Sequence, residues 1–401
     1  MPWPGSRSFS TRGDRVTEDA SGFATRAIHA GEETDPATGA HATPIYQTAT
    51  FAFTSGARKE EVVDAAMAWE PKQFFYTRTA NPTTDALEEK VAALEGAETA
   101  VACASGMAAV ANTVFSLLRQ GDHCVASEDV FIITRFFLDD VCARKGIEVS
   151  RVDVTDLDAV RAALRPETKA LFVESLSNPH MLLADVSALA GVAREAGSTL
   201  VVDNTFLSPA VFRPLEHGAD LVLHSATKYL SGHGDTVCGV VAGPKALTDP
   251  IRYELDALGS AVSPFNSWLV ARGMRTLPLR MEAHARNALS LASFLDRRPE
   301  VRWVAYPGLA GHPQHALAQG LLDRGFGGML SFRLAGGEEA LYAFTDALQM
   351  CAIAVSLGDL KTLVYPMPKR DNLIRVSVGC EDVDDLLADV ERGLAATGLA
   401  A

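Results

Sequence analysis

Asp203 and Lys228 are the residues of this chain best placed to do chemistry. Each lies at or just past the end of a short, β-rich apolar run, Thr199–Val202 and Leu221–Leu223, that reads as a fully buried strand of a parallel sheet. In an open α/β sheet the ligand crevice lies outside the carboxyl ends of the strands, so both tips face one site. A carboxylate and an amine so disposed suit pyridoxal phosphate (PLP). Lys228 would form the Schiff base with the aldehyde. Asp203 would pair with the protonated pyridine nitrogen and keep the ring an electron sink for a carbanion at the substrate α-carbon. Ser225 and Thr227, flanking the lysine, can donate hydroxyl hydrogen bonds to the phosphate. Most aspartates and lysines are solvated surface charges, but an Asp after VV and a Lys after LVLHSAT are not in that setting.

Two other stretches carry anion-binding chemistry. Ser105-Gly106-Met107 stands between the strand VACA and a helix whose apolar face holds Met107, Val110, Val114, Leu117 and Leu118. Backbone N–H groups at such a helix start bind anions, and Gly106 lets a phosphate approach closely. A Ser-Gly before a helix is otherwise simply a cap. Tyr76-Thr77-Arg78 offers a planar guanidinium fork and a phenol just ahead of a helix over Thr84–Leu94, stopped by Gly96; the plain alternative is a surface arginine beside a packing tyrosine.

The elements that must hold these residues alternate along the chain. Strand-like runs at His123–Ala126 and Ala170–Val173 take turns with alanine-rich helical segments at Leu157–Leu164 and Val186–Ala196, which argues for a largely parallel sheet covered on both faces. Residues 1–22, rich in Pro, Gly, Ser and mixed charge, read as a disordered tail. Residues 23–75 read as a loop-rich arm, and a second domain is expected beyond residue 261. The 401 residues suffice for a large core and two domains. A net charge of −14 argues against nucleic acid or an anionic membrane surface as the main partner. Six scattered cysteines without CxxC spacing point to a reduced, cytoplasmic protein without a metal site. No apolar run is long enough for a membrane span.

The segments VVDNTFLSP and HSATKYLSGHGD resemble the Cys/Met-metabolism family of PLP enzymes, which includes methionine γ-lyase, cystathionine lyases, cystathionine γ-synthase and O-acetylhomoserine sulfhydrylase. The same likeness runs through FFYTRTANPTTDALEEKVAALEGAE, CASGMAA, SPFNSWLVARGMRTL, YPGLAGHPQH and LIRVSVGCED. It implies PLP fold type I, aspartate-aminotransferase-like: an arm (23–75) contacting a neighbouring subunit, a large, mostly parallel PLP-binding α/β domain (76–260) and a smaller C-terminal α/β domain (261–401). It also implies a homotetramer built from active dimers, with Tyr76 and Arg78 serving the partner's phosphate. Asn178, in a Glu174-Ser-Leu-Ser-Asn-Pro motif, would bond the cofactor's phenolate oxygen, and Arg375 would hold the substrate carboxylate. An ion pair of Arg375 with Asp382 is the alternative. Ser356 begins an SLGD motif that precedes a substrate wall in the lyase and sulfhydrylase branches.

Two departures from the family stand out. Where the family has a tyrosine that stacks on the cofactor, this chain has Phe131, followed by Ile132 and Ile133 in place of small residues. Stacking is kept and the phenolic acid is lost. Beyond the SLGD motif, a segment usual in the family is missing, and 364–372 bridges directly to Arg375 as a shortened loop. The expected activity is PLP-dependent γ-elimination on a sulfur-containing or γ-substituted L-amino acid, methionine or cystathionine γ-lyase in type, releasing a 2-oxo acid and ammonia. Lys228 would shuttle the protons. The alternatives are γ-replacement, a secondary-metabolic γ-lyase acting on a halide or ester, and a non-catalytic PLP-binding protein.

Overall fold

The computed structural model describes residues 22–322 and 324–399; all but the last residue of the tail expected over 1–22 lies outside them. The large sheet consists of β1 (Thr99–Cys103), β2 (His123–Ser127), β3 (Glu148–Val152), β4 (Thr168–Glu174), β5 (Thr199–Asp203), β6 (Leu221–Ser225) and β7 (Gly239–Gly243). Their spatial order is β1-β7-β6-β5-β4-β2-β3, with β7 alone antiparallel to its neighbours. These strands read as unbroken apolar runs because both faces are buried. Leu171, Val173, Leu200, Val202 and Val222 enter one core, and the alternating Ala170, Phe172, Val201, Leu221 and Leu223 enter the other.

Helices cover both faces. The chain runs through α1 (Phe23–His29), α2 (Gly56–Met67), α3 (Pro82–Glu95), α4 (Gly106–Leu117), α5 (Ile132–Phe136), α6 (Leu157–Ala163), α7 (Val186–Glu195), α8 (Ser208–Val211) and α9 (Lys245–Leu258). The apolar faces of α4 and α9 enter the core that holds Phe172 and Leu223, while α1, α3, α7 and α8 enter the opposite one. Helix α3 forms where the sequence places it. Asn81 caps Thr83 N–H at 2.9 Å, Pro82 opens the first turn, and Gly96 closes the helix at φ 72°. The stretch 23–75 carries two helices between its loops. Helix α1 buries Phe23 and Ala27, and α2 occupies twelve of the residues.

Helices α10 (Pro264–Met274) and α11 (Leu277–Leu295) link the two halves: Leu277 and Met281 lie in the large-sheet core, and Ala288 to Leu295 in the next. That second core packs α11, α13 (Glu338–Asp346) and α14 (Val383–Ala396) on a sheet ordered β10-β11-β12-β9-β8; α12 (His315–Leu321) stands apart from it. Its strands are β8 (Val301–Ala305), β9 (Met329–Leu334), β10 (Ala352–Ile353), β11 (Leu363–Met367) and β12 (Leu373–Ser377). Of the expected shortened loop over 364–372, residues 364–367 are strand and 368–372 form the turn. β11 pairs antiparallel with β12, and the turn between them uses Asp371 and Asn372 at φ 53° and 52°. Aspartate and asparagine tolerate that backbone region best among residues with a side chain.

Helix α1 is fastened to α3 by a buried cation. Lys90 Nζ donates to Ala27 O at 2.8 Å and pairs with Glu32 at 3.2 Å. Glu32 keeps a second partner in Arg275 at 3.5 Å, so Lys90→Ala is expected to cost about 2 kcal/mol, less than stranding a buried charge outright. Urea denaturation checks this as a lower midpoint at unchanged slope.

Candidate active site

Lys228 sits on the turn after β6. Its carbonyl accepts from Gly232 N–H at 2.8 Å, and the following carbonyls of Tyr229 and Leu230 accept from the buried Arg280 at 2.8 and 3.3 Å. On the other side is Gly358 of the SLGD motif, at φ 75°. A Cβ there would lie 2.6 Å from Tyr229 N and 2.9 Å from Lys228 C, so only glycine allows the two loops to meet. The contact delivers Ser356, itself at φ 85°, to the lysine, whose Nζ donates to Ser356 Oγ at 2.5 Å. Arg375, on β12, donates to Ser356 O at 2.9 Å and to Asn178 Oδ1 at 3.2 Å, with its guanidinium 5.2 Å from the Tyr365 ring centroid. No carboxylate pairs with it among the described residues, which sets aside Asp382, and its buried Nε has no partner. Burial, and then the Arg375 charge, pull the Lys228 amine down to about 8.

Across the cleft, β5 ends in Asp203 and β4 in Glu174, paired in register. Asp203 Oδ1 accepts from Thr205 N–H at 3.0 Å and Thr205 Oγ1 at 2.5 Å, while Thr205 Oγ1 accepts from Ser225 N–H at 2.8 Å. One threonine thus ties the tips of β5 and β6 together. Burial pushes the Asp203 carboxyl upward against those bonds. Phe131 caps α5, and its N–H donates to Glu174 Oε1 at 2.6 Å; the ring is partly exposed, as are Ile132 and Ile133 beside it. Asn178 precedes Pro179 through a cis peptide bond.

The anion-binding residues also converge. Ser105 caps α4 by accepting from Ala108 N–H at 3.1 Å, which leaves the N–H groups of Gly106 and Met107 without intrahelical acceptors. Gly106 faces Ser225 closely: a Cβ would fall 2.8 Å from Ser225 Cβ and 2.9 Å from its Oγ. The Thr227 hydroxyl is engaged with the backbone of Cys238, donating to its O at 3.2 Å and accepting from its N–H at 3.1 Å. Met107 Sδ accepts from Thr134 Oγ1 at 3.6 Å. Free N–H donors, a hydroxyl and a glycine cradle fit a phosphate, with lysine and aspartate placed for the rest of a pyridoxal ring. No hydrogen bond or ion pair of Tyr76 or Arg78 among the described residues reaches these groups. Arg78 stacks 5.1 Å from the Tyr76 ring centroid and donates from Nε to Asp256 at 2.7 Å, on an exposed surface.

The chain belongs to the Cys/Met metabolism PLP-dependent enzymes, whose family model matches residues 24–395. It is 45% identical to the L-methionine gamma-lyase of Pseudomonas putida over 94% of this chain and 98% of that one. With the O-succinylhomoserine sulfhydrylase of Pseudomonas aeruginosa it shares 43% identity over 95% and 98% of the two chains. The crystal structure of cystathionine gamma-lyase from Lactobacillus plantarum, complexed with L-serine, superposes with a TM-score of 0.86 at 40% identity, covering 94% of this chain and all of that one.

Sequence reasoning passed over Thr205, Glu174 and His180. The DNT triplet was the signal for Thr205, since a carboxylate two residues before a threonine forms an Asx turn. Nothing in the sequence marked His180, whose Nδ1 lies 2.5 Å from Asp129 Oδ2 at the rim near Phe131. Reductive methylation of the full-length apoprotein, followed site by site, is expected to half-modify Lys228 near pH 8. Arg375→Leu removes a like charge that disfavours the ammonium form, so the midpoint should rise.

Proposed function

We propose that this chain holds PLP on Lys228 and Asp203 and catalyses γ-elimination on a sulfur-containing or γ-substituted L-amino acid, in the manner of a methionine γ-lyase. The observation that carries this reading is the Lys228–Ser356–Arg375 chain of contacts, which sets an amine beside a guanidinium that has no carboxylate partner. When bound, the cofactor supplies an electron sink for a carbanion at the substrate α-carbon. Ser105, Gly106, Met107 and Ser225 would hold its phosphate, joined by Thr227 once its hydroxyl turns from the Cys238 carbonyl, with Asn178 on its phenolate oxygen and Phe131 on its face. Arg375 would bind the substrate α-carboxylate through its fork and so direct the Cα–H bond toward Lys228. The lysine amine, pulled down to about 8 by burial and then by the Arg375 charge, gains its free-base form as pH rises through that value, and the free base would take that proton and return it further along the substrate chain. With methionine the products are methanethiol, 2-oxobutanoate and ammonia, with one water consumed.

Phe131 favours a second reading, γ-replacement on an activated ester. A phenylalanine donates no proton, and a carboxylate leaves without one whereas a thiolate benefits from protonation. Support for the shared machinery comes from relatives of both kinds, lyase and sulfhydrylase. Tyr76 and Arg78, of which Arg78 is paired with Asp256 in its own chain, would complete a neighbouring subunit's phosphate site in a homotetramer of active dimers. A cytoplasmic location is part of the same proposal; six free thiols suit a reducing compartment, and no described helix is long and apolar enough to cross a membrane.

The test is 2-oxobutanoate release by the PLP-loaded protein from L-methionine and from O-acetyl-L-homoserine. Release from methionine, lost in Lys228→Ala, is expected; release from the ester alone moves the assignment to the replacement reading. Restoring the hydroxyl with Phe131→Tyr should raise methionine turnover by about 10²-fold relative to ester turnover.

A further inference from the structure

Glu174 has no role in the mechanism above, yet it is buried at the strand tip beside Asp203. Its side chain projects from β4 in register with Asp203 on β5, and the residue is 8% exposed. Oε1 accepts the Phe131 N–H at 2.6 Å, fixing the backbone of a residue whose side chain is partly exposed. Oε2 is buried without a hydrogen-bond partner. Two carboxylates on adjacent parallel strands repel when both are charged, and a bare buried oxygen anion is the costlier place for the charge.

The surroundings separate the two acids. Asp203 has two donors from Thr205 and the nearby His224, which favour its anion. Glu174 has one donor, and Asp129, itself paired with His180, adds a further negative charge beside it. Burial and the Asp203 charge hold the Glu174 carboxyl well above the usual range.

We propose that Glu174 is a positioning residue that works as a neutral acid: it anchors the 128–131 loop so that Phe131 covers the cofactor face, and it leaves the negative charge of the strand-tip pair on Asp203. Neutral Glu174 keeps its acceptor for the Phe131 N–H while removing the charge that would compete with Asp203 for a cationic ring nitrogen. The inference rests on the reading that this cleft holds PLP.

Titration of the full-length apoprotein with PLP tests it, followed by tryptophan fluorescence and by the visible circular dichroism of the bound cofactor. Glu174→Gln keeps an oxygen acceptor and carries no charge. It is expected to bind PLP within about threefold of the wild type and with the same dichroism, since it reproduces a neutral hydrogen-bonding partner. Glu174→Ala loses the anchor and should bind at least about tenfold more weakly with reduced dichroism, because a buried N–H is left unsatisfied. Glu174→Asp, one methylene short of the Phe131 N–H, should follow the alanine variant and serves if alanine does not fold. Asp203→Asn should lose affinity where Glu174→Gln does not. Weakening of Glu174→Gln to the level of Asp203→Asn overturns the neutral-acid assignment. Alanine and aspartate variants that bind like the wild type with unchanged dichroism, whatever their thermal stability, overturn the positioning role. Failure of the wild type to bind PLP at all would instead refute the assignment of the cleft itself.

Discussion

A lysine amine held out of water beside an arginine is the constraint on which the rest of this structure depends. Burying a cation next to another is unfavourable, and it persists only where the surrounding backbone leaves the side chain nowhere else to go. Here the restraint is local and dense. Arg280 gathers the carbonyls of Tyr229 and Leu230, and Gly358 brings the SLGD loop into backbone contact with Lys228. That contact joins the two cores, because Lys228 follows the large sheet while Ser356 and Arg375 come from the smaller one.

A second economy of charge operates on the opposite wall. Thr205 is shared between Asp203 and Ser225, so the acid, the hydroxyl beside Gly106 and the lysine turn are linked through one side chain. The anion-binding corner is shaped by close backbone approach more than by charge. Gly239 lies so near Ser105 that a Cβ would fall 2.1 Å from its carbonyl oxygen, and the Thr227–Cys238 bonds hold the start of β7 in that position. Rigid strand tips and glycine contacts suit a site that must hold a planar ring in one orientation.

The rim on the arginine side is a hairpin and not a loop. Antiparallel pairing places Tyr365 opposite Arg375, with the ring within cation–π distance of the guanidinium. The ring and two carbonyl-type acceptors hold Arg375 without neutralising it, and β11 passes to β12 through a turn at 368–372. On the other rim, Phe131, Ile132 and Ile133 form an apolar edge in which no phenol is available.

By itself the sequence determined the layers and the strand tips that carry Asp203 and Lys228. Unbroken apolar runs mark strands buried on both faces, Gly96 marks the end of α3, and Asp203 closes one strand while Lys228 lies three residues past another, so each was legible from pattern and spacing. The arm's helix α2 was less visible, because Gly56 opens it and its face toward the protein buries only Val62 and Ala66. Tertiary structure alone decided the pairs that join residues distant in the chain: Lys228 with Ser356, Arg375 with Asn178, Phe131 with Glu174, and Asp129 with His180. Local patterning records which face of an element is buried. It does not record which polar atoms meet across a cleft, since that depends on how two sheets and their turns are set against each other.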